Sequence, residues 1–290
     1  MRTFTAPLYE LGEFEEITKL LNKPQAAVSL IGCVDSQKLH MAYGLSSDFK
    51  YKIIVTYNDL RAKAIFEEYK LYDKNVTMYP AKDLIFYQAD IHGNQIVTER
   101  IKALRRIIEG RPLTVVTTFD SFMTPQIPLS ILEKKVIKID CQASVNEQRL
   151  SEALVEMGYE KNYQVEAPGQ FSIRGGIVDI FDLTEENPYR IELWGEEVES
   201  IRSFDILSQR SIEKLQSIRI YPATEMILTA GEMKKGMERI ESEAQKCAER
   251  FRKEFKTEEA HRITSQINEL KEQIFEFREA TNLESYVRYF

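Results

Sequence analysis

Over the first 140 positions, short apolar runs alternate with stretches whose apolar residues recur at helical spacing. EFEEITKLLN at 13–22 reads as a helix ended before Pro24, and AAVSLIG at 26–32 as a short buried strand. Helix-like DSQKLHMAYGL follows, then a strand KIIVTY at 52–57 and a helix from Asn58, a favourable N-cap, through Tyr72. Val76–Tyr79, the LTVVTT run from Leu113 and Lys135–Ile139 read as further strands, with a helix over Val97–Ile108. Strands alternating with helices predict a parallel α/β sheet with right-handed crossovers, closing as a domain near residue 140.

Beyond that point the period changes. NEQRLSEALVEM at 146–157 predicts a helix, and Gly169–Asp205 a compact meander of short strands. Phe171 and Ile173 alternate with Ser172 and Arg174, and Gly175-Gly176 permits a bulge or bend. Ile177, Val178, Ile180 and Phe181 form the next strand, with Asp179 inside it. After the turn-rich TEENP, Arg190-Ile191-Glu192-Leu193-Trp194 alternates cleanly, and Glu197–Phe204 returns as its partner. Alternation leaves two arrangements open: Ile191 and Leu193 face the core and Trp194 meets solvent beside Arg190, or Trp194 is the core residue and another element covers the other two. In the first arrangement Arg174 lies opposite Phe171 and Ile173. An exposed Trp flanked by arginines has the composition of a protein-binding hot spot. SIRIY at 217–221 reads as the last strand of this domain. Gly231–Arg278 then reads as two helices with solvated charged faces, broken near Lys256-Thr257. The closing aromatics Tyr286, Tyr289 and Phe290 suggest a piece of a longer protein.

Composition narrows the function classes. With 290 residues, 43% hydrophobic and 29% charged, the chain is expected to form two or three soluble domains. No apolar run approaches the roughly 18 residues of a membrane span, and MRTFTAPLYELGEFEE has no apolar signal core, so a cytoplasmic setting is expected. Cys33, Cys141 and Cys247 stand far apart and suggest neither a disulfide framework nor a metal site; His40, His92 and His261 are isolated. The net charge of −7 argues against a large nucleic-acid footprint. The span 141–222 holds eight basic against fifteen acidic side chains, the whole of that deficit, which favours a basic protein partner. Lys102, Arg105 and Arg106 form a basic cluster on one helix, expected to be a solvated face.

One stretch has the layout of a phosphate loop. Strand, loop and helix over 26–45 carry Gly32-Cys33-Val34-Asp35-Ser36-Gln37-Lys38-Leu39. Against G-x-x-x-x-G-K-[ST], Gly32 and Lys38 match, but Gln37 stands at the second glycine and Leu39 at the hydroxyl that would hold magnesium. A side chain at position 37 obstructs the cradle, and Asp35 adds repulsion. No catalytic residue is assigned, and neither nucleotide hydrolysis nor a metal site is expected of this chain.

GQFSIRGGIVDIFD, PYRIELWGEEVESIRSFD and SQRSIEKLQSIRIYPATE, with Tyr79-Pro80 and IVTERIKAL from Ile96, resemble the UvrB-like N-terminal module of the bacterial transcription-repair coupling factor family, and the resemblance covers essentially the whole chain. It implies a degenerate P-loop-like α/β domain over 1–140 and an inserted α+β domain over 141–222 that binds UvrA. A helical segment over 223–290 would return to pack on the first domain. Where UvrB carries its DNA-inserting hairpin, only Gln88–Asn94 is present. The family's partner contacts fall on Arg174, Arg190 and Trp194, which implies an exposed Trp194. Each arginine would pair bidentately with a partner carboxylate, contributing about 2–4 kcal/mol on truncation. The implied function is recruitment, not chemistry: ATP and magnesium belong to a separate C-terminal motor that acts on stalled RNA polymerase and DNA. A C-terminal domain would cover the UvrA-binding face at rest. The alternative is a direct DNA-binding or ATPase module related to UvrB.

Overall fold

The computed structural model describes residues 4–81, 90–274 and 283–290. Of the Gln88–Asn94 segment, Gln88 and Ala89 fall outside them, and Asp90–Asn94 open a helix. Two compact units emerge, Met1–Lys82 with Lys102–Met123, and Asp83–Ile101 with Thr124–Phe290. The chain is mixed α/β. No described helix is long and apolar enough to cross a membrane.

The first unit contains α1 (Phe14–Leu21), α2 (Asp35–Leu45), β1 (Tyr51–Thr56), α3 (Asp59–Tyr69), β2 (Val76–Tyr79), the last turns of α4 (Asp90–Ile108), β3 (Leu113–Thr118) and α5 (Phe119–Met123). Asn58 caps α3 as its side chain predicts, accepting from the Arg61 N–H at 2.8 Å. The three strands form a parallel sheet in the order β1-β3-β2, with Tyr51 opposite Leu113 and Val76 opposite Thr114. Leu39 and Tyr43 of α2 and Ala62, Ile65 and Tyr69 of α3 pack on Val76 and Val116, so both helices cover one face of the sheet. Asp73 ties the strands from below: burial pushes its carboxyl upward, but bonds from Thr114, the Asn75 N–H and Lys52 outweigh that and hold it under the usual aspartate value.

Two expected strands behave differently. Residues 26–31 are extended but pair with nothing among the described residues; Ala26, Val28 and Leu30 are half-buried while the intervening positions are exposed. The apolar run covers α1 and α2 side chains instead, Leu30 joining Leu8, Phe14, Met41 and Leu45. The second is Lys135–Ile139, which stays out of the parallel sheet. It forms β4 (Ile137–Asp140) and pairs antiparallel with β11 (Ser217–Ile220), Ile139 opposite Ile218, because both strands alternate isoleucine with charge. The domain expected to close near residue 140 therefore gives up this strand to the second unit.

In that unit α6 (Leu129–Lys134) precedes β4, and α7 (Glu147–Glu156) follows, capped by Asn146 accepting from the Arg149 N–H at 3.1 Å. Next come β5 (Glu160–Lys161), β6 (Gln170–Arg174), β7 (Ile177–Ile180), β8 (Tyr189–Trp194), β9 (Glu197–Phe204) and β10 (Ser211–Leu215). They form one sheet in the order β10-β9-β8-β7-β6-β5, antiparallel except where β5 meets β6. The glycine pair is a tight hairpin turn between β6 and β7: Gly175 and Gly176 take φ of 56° and 83°, the left-handed region such a turn requires. A side chain at Gly176 would also press on the Leu193 carbonyl, 3.0 Å away. One face of the sheet is core. Phe171, Val178, Ile180, Ile191, Leu193, Val198 and Ile201 meet Leu150, Leu154 and Met157 of α7 and the isoleucines of β4 and β11.

The charged stretch forms α8 (Ala230–Lys253) and α9 (Thr257–Glu272), broken where expected. Thr229 and Glu232 make a reciprocal capping box at the start, and Phe255 takes a φ of 62° in the break. Met237 and Ile240 pack on Leu270 and Ile274, and Tyr286, Tyr289 and Phe290 close over that cluster.

An ion pair lies in the interior of this unit. Arg100 of α4 is fully buried and chelates Glu225, Nε to Oε1 at 2.5 Å and Nη2 to Oε2 at 2.9 Å, across 125 residues of chain. Removing one partner strands the other charge in the interior, so Glu225→Ala should cost about 3–5 kcal/mol in urea unfolding. The apolar double variant Arg100→Met, Glu225→Leu should cost markedly less. Equal losses from the two would contradict this account.

Candidate functional site

The second face of the six-stranded sheet is polar, and strand register assembles it. Ser172 on β6 stands opposite Asp179 on β7, Asp179 opposite Arg190 on β8, and Arg190 opposite Arg202 on β9. The neighbouring row carries Arg174, Ile177, Glu192 and Ser200. Ile191 and Leu193 are buried in the core. Of the two arrangements that alternation allows, the structure therefore adopts the one with Trp194 at solvent, 80% exposed beside the turn into β9.

The two arginines are less free than a strand pattern suggests. Their side chains are 35% exposed at Arg174 and 17% at Arg190, and both meet one buried carboxylate, Asp179. Oδ1 of Asp179 accepts from Arg190 Nε at 2.7 Å. Its Oδ2 accepts from Arg190 Nη2 at 2.8 Å and from Arg174 Nη2 at 3.2 Å. Arg190 Nη2 also donates to Oε1 of Gln209 at 2.8 Å, and its guanidinium lies 4.2 Å over the Phe204 ring. The Asp179 bond raises the Arg190 pKa above the ordinary arginine value. Arg174 lies 5.5 Å from the centre of the exposed Tyr163 ring, whose carbonyl accepts from Ser172 Oγ at 2.8 Å.

Asp179, Gln209 and Tyr163 were not assigned a role by sequence reasoning. Asp179 had a visible signal, since period two places it on the face of Arg174 and Arg190. Gln209 and Tyr163 reach the arginines from loops, and no local pattern marks them. The surface that results is a band running from Trp194 past a pair of guanidiniums, with aromatic rings under the charges. It offers an apolar anchor and positive donors to a protein partner. On the same face Ser200 Oγ donates to Glu192 Oε2 at 2.6 Å.

The phosphate-loop residues belong to the other unit. Gly32 has a φ of 78° with open space around it, and Lys38 donates to Asp35 Oδ1 at 3.3 Å. Asp35 also pairs with Arg61 at 3.0 Å. Leu39, at the hydroxyl position of a working loop, is buried in the core under α3. The basic cluster of α4 is not a solvated face: Lys102, Arg105 and Arg106 are half-buried, and Arg105 Nε donates to Glu109 at 3.0 Å. The helix is long enough to pack its basic positions against structure, which a short pattern did not reveal.

A family model for the UvrB interaction domain matches residues 137–226, the stretch from β4 to just before α8. The chain is 32% identical over 284 residues to a transcription-repair-coupling factor of Bacillus subtilis, covering 97% of this chain and 24% of that protein. It is 30% identical over 184 residues to the transcription-repair-coupling factor of Staphylococcus epidermidis, covering 63% of this chain and 16% of that protein. UvrABC system protein B of Fervidobacterium nodosum is 25% identical over 292 residues, covering 95% of this chain and 44% of that protein. The chain thus spans a minor part of the length of each relative.

Leu39 is committed to the core and Lys38 is paired to Asp35. Isothermal titration of the chain with ATP and magnesium should show no binding at micromolar concentrations, and a micromolar Kd would contradict this. Leu39→Ser restores the hydroxyl but should cost about 3 kcal/mol of stability without creating a site.

Proposed function

Since the chain is a UvrB-like module related along nearly its whole length to transcription-repair-coupling factors, we propose that it is a docking module that recruits UvrA and so links removal of stalled RNA polymerase to excision repair. The observation that carries this is the coincidence of two independent features. The stretch matching the UvrB interaction domain is the stretch whose sheet presents Trp194, Arg174 and Arg190 on one face.

Docking on this face needs no reaction. Trp194 supplies a large apolar surface whose desolvation favours association, and the guanidiniums supply charge and direction. The module itself is non-catalytic in this proposal. ATP turnover, and the contacts with RNA polymerase and DNA, belong to parts of a longer protein, as does a C-terminal domain that would cover the docking face at rest. We read the chain as three parts: a degenerate P-loop-like α/β part up to about residue 140, a UvrA-binding part to about 222, and a helical part to 290 that returns to the first. The pairing of β4 with β11 supports counting β4 with the docking part.

Surface plasmon resonance against purified UvrA tests the proposal. Trp194→Ala and Arg174→Ala should each weaken binding by about 2–4 kcal/mol, roughly 30- to 1000-fold, with thermal stability little changed because both side chains reach solvent. Unchanged affinity in folded variants would contradict it.

A further inference from the structure

The docking face is organised by a residue that would itself touch no partner. We propose that Asp179 is the positioning residue of this surface: it sets Arg174 and Arg190 in place and leaves Arg174 as the side chain that receives a planar carboxylate from UvrA. The inference rests on the docking reading above and divides the labour within it.

The geometry starts from burial. Asp179 is 2% exposed, so a partner cannot reach its carboxylate, yet both of its oxygens are engaged by guanidiniums. An arginine presents five N–H donors in a fixed planar fork. Arg190 places the fork made by Nε and Nη2 on Asp179, and the remaining Nη2 donor on Gln209. No complete fork of Arg190 is left, since its Nη2 hydrogens are both engaged. Arg174 gives Asp179 a single bond from one Nη2 hydrogen, so its second Nη2 hydrogen still forms a complete fork with the nitrogen beside it. Bidentate recognition of a carboxylate, expected of both arginines from the sequence, is therefore available to Arg174 alone.

The electrostatics agree with this division. Two guanidiniums on one sheet face repel each other, and Asp179 between them offsets that repulsion while leaving the cluster with a net positive charge. Its bonds also hold two long side chains in single rotamers before a partner arrives, so their ordering is a cost of folding and not of docking. Loss of the charge at 179 should then act only through the arginines.

The test is a mutant cycle on the full chain, read as affinity for purified UvrA. Asp179→Asn keeps the shape and removes the charge; it should lower affinity roughly tenfold, and that loss should vanish in a background of Arg174→Ala with Arg190→Ala. The Arg190 side-chain Nε–H resonance, slow to exchange in the parent chain, should exchange rapidly in Asp179→Asn. If Asp179→Asn does not fold, Arg190→Lys keeps the charge but cannot chelate Asp179, and should lower affinity as well. Full affinity in folded Asp179→Asn or in Arg190→Lys, or an undiminished loss in the double-alanine background, overturns the inference and leaves the docking reading standing. Parent-like binding by Arg174→Ala together with Trp194→Ala overturns the docking reading itself.

Discussion

Side chains along a β-strand alternate between two faces, and a sheet that packs one face on its own core must commit the other to something else. In this chain the first face is filled by Phe171, Val178, Ile191 and Ile201 against α7 and the β4–β11 pair. The same register lines up Ser172, Asp179, Arg190 and Arg202 on the second face. A one-residue slip would drive charge into the core and isoleucine into water, so the core fixes the position of the residues proposed to dock. The positions of Trp194 and the arginines are consequences of hydrophobic packing on the far side of the sheet.

Burying charge on such a face carries a cost that the structure meets with geometry. Asp179 is nearly inaccessible, but each of its oxygens receives at least one guanidinium bond. The arrangement differs from the Arg100–Glu225 pair, in which both side chains are buried. At Asp179 the cations outnumber the anion and one of them retains open donors. A buried carboxylate that over-recruits arginines is a way to hold positive charge at a surface in a fixed direction.

Much of this was legible in the sequence, where the signal was local. Period two in β8 gave its two faces, and Asn58 and Asn146 marked helix starts at which their side chains do cap. The break between α8 and α9 was readable from Lys256-Thr257. The failures share a cause: the deciding partner was distant. Residues 26–31 look like a buried strand but have no pairing neighbour among the described residues, and β4 finds its partner some 80 residues along the chain, at β11. Strand β10 has four exposed positions out of five and owes its existence to backbone pairing with β9, which no apolar pattern announces. Alternation put Arg174, Arg190 and Trp194 on a shared face without deciding which face meets solvent or how many donors each arginine keeps, because Asp179 and Gln209 engage them from other elements.

The central claim is that the polar face of this sheet is where UvrA binds. Hydrogen–deuterium exchange of the chain alone and with saturating UvrA maps that contact without altering any residue. The account predicts new protection concentrated in Gly175–Asp179 and Tyr189–Glu197, with α8 and α9 unchanged. Protection confined to the first unit or to those helices, with the sheet exchanging as it does alone, would contradict it.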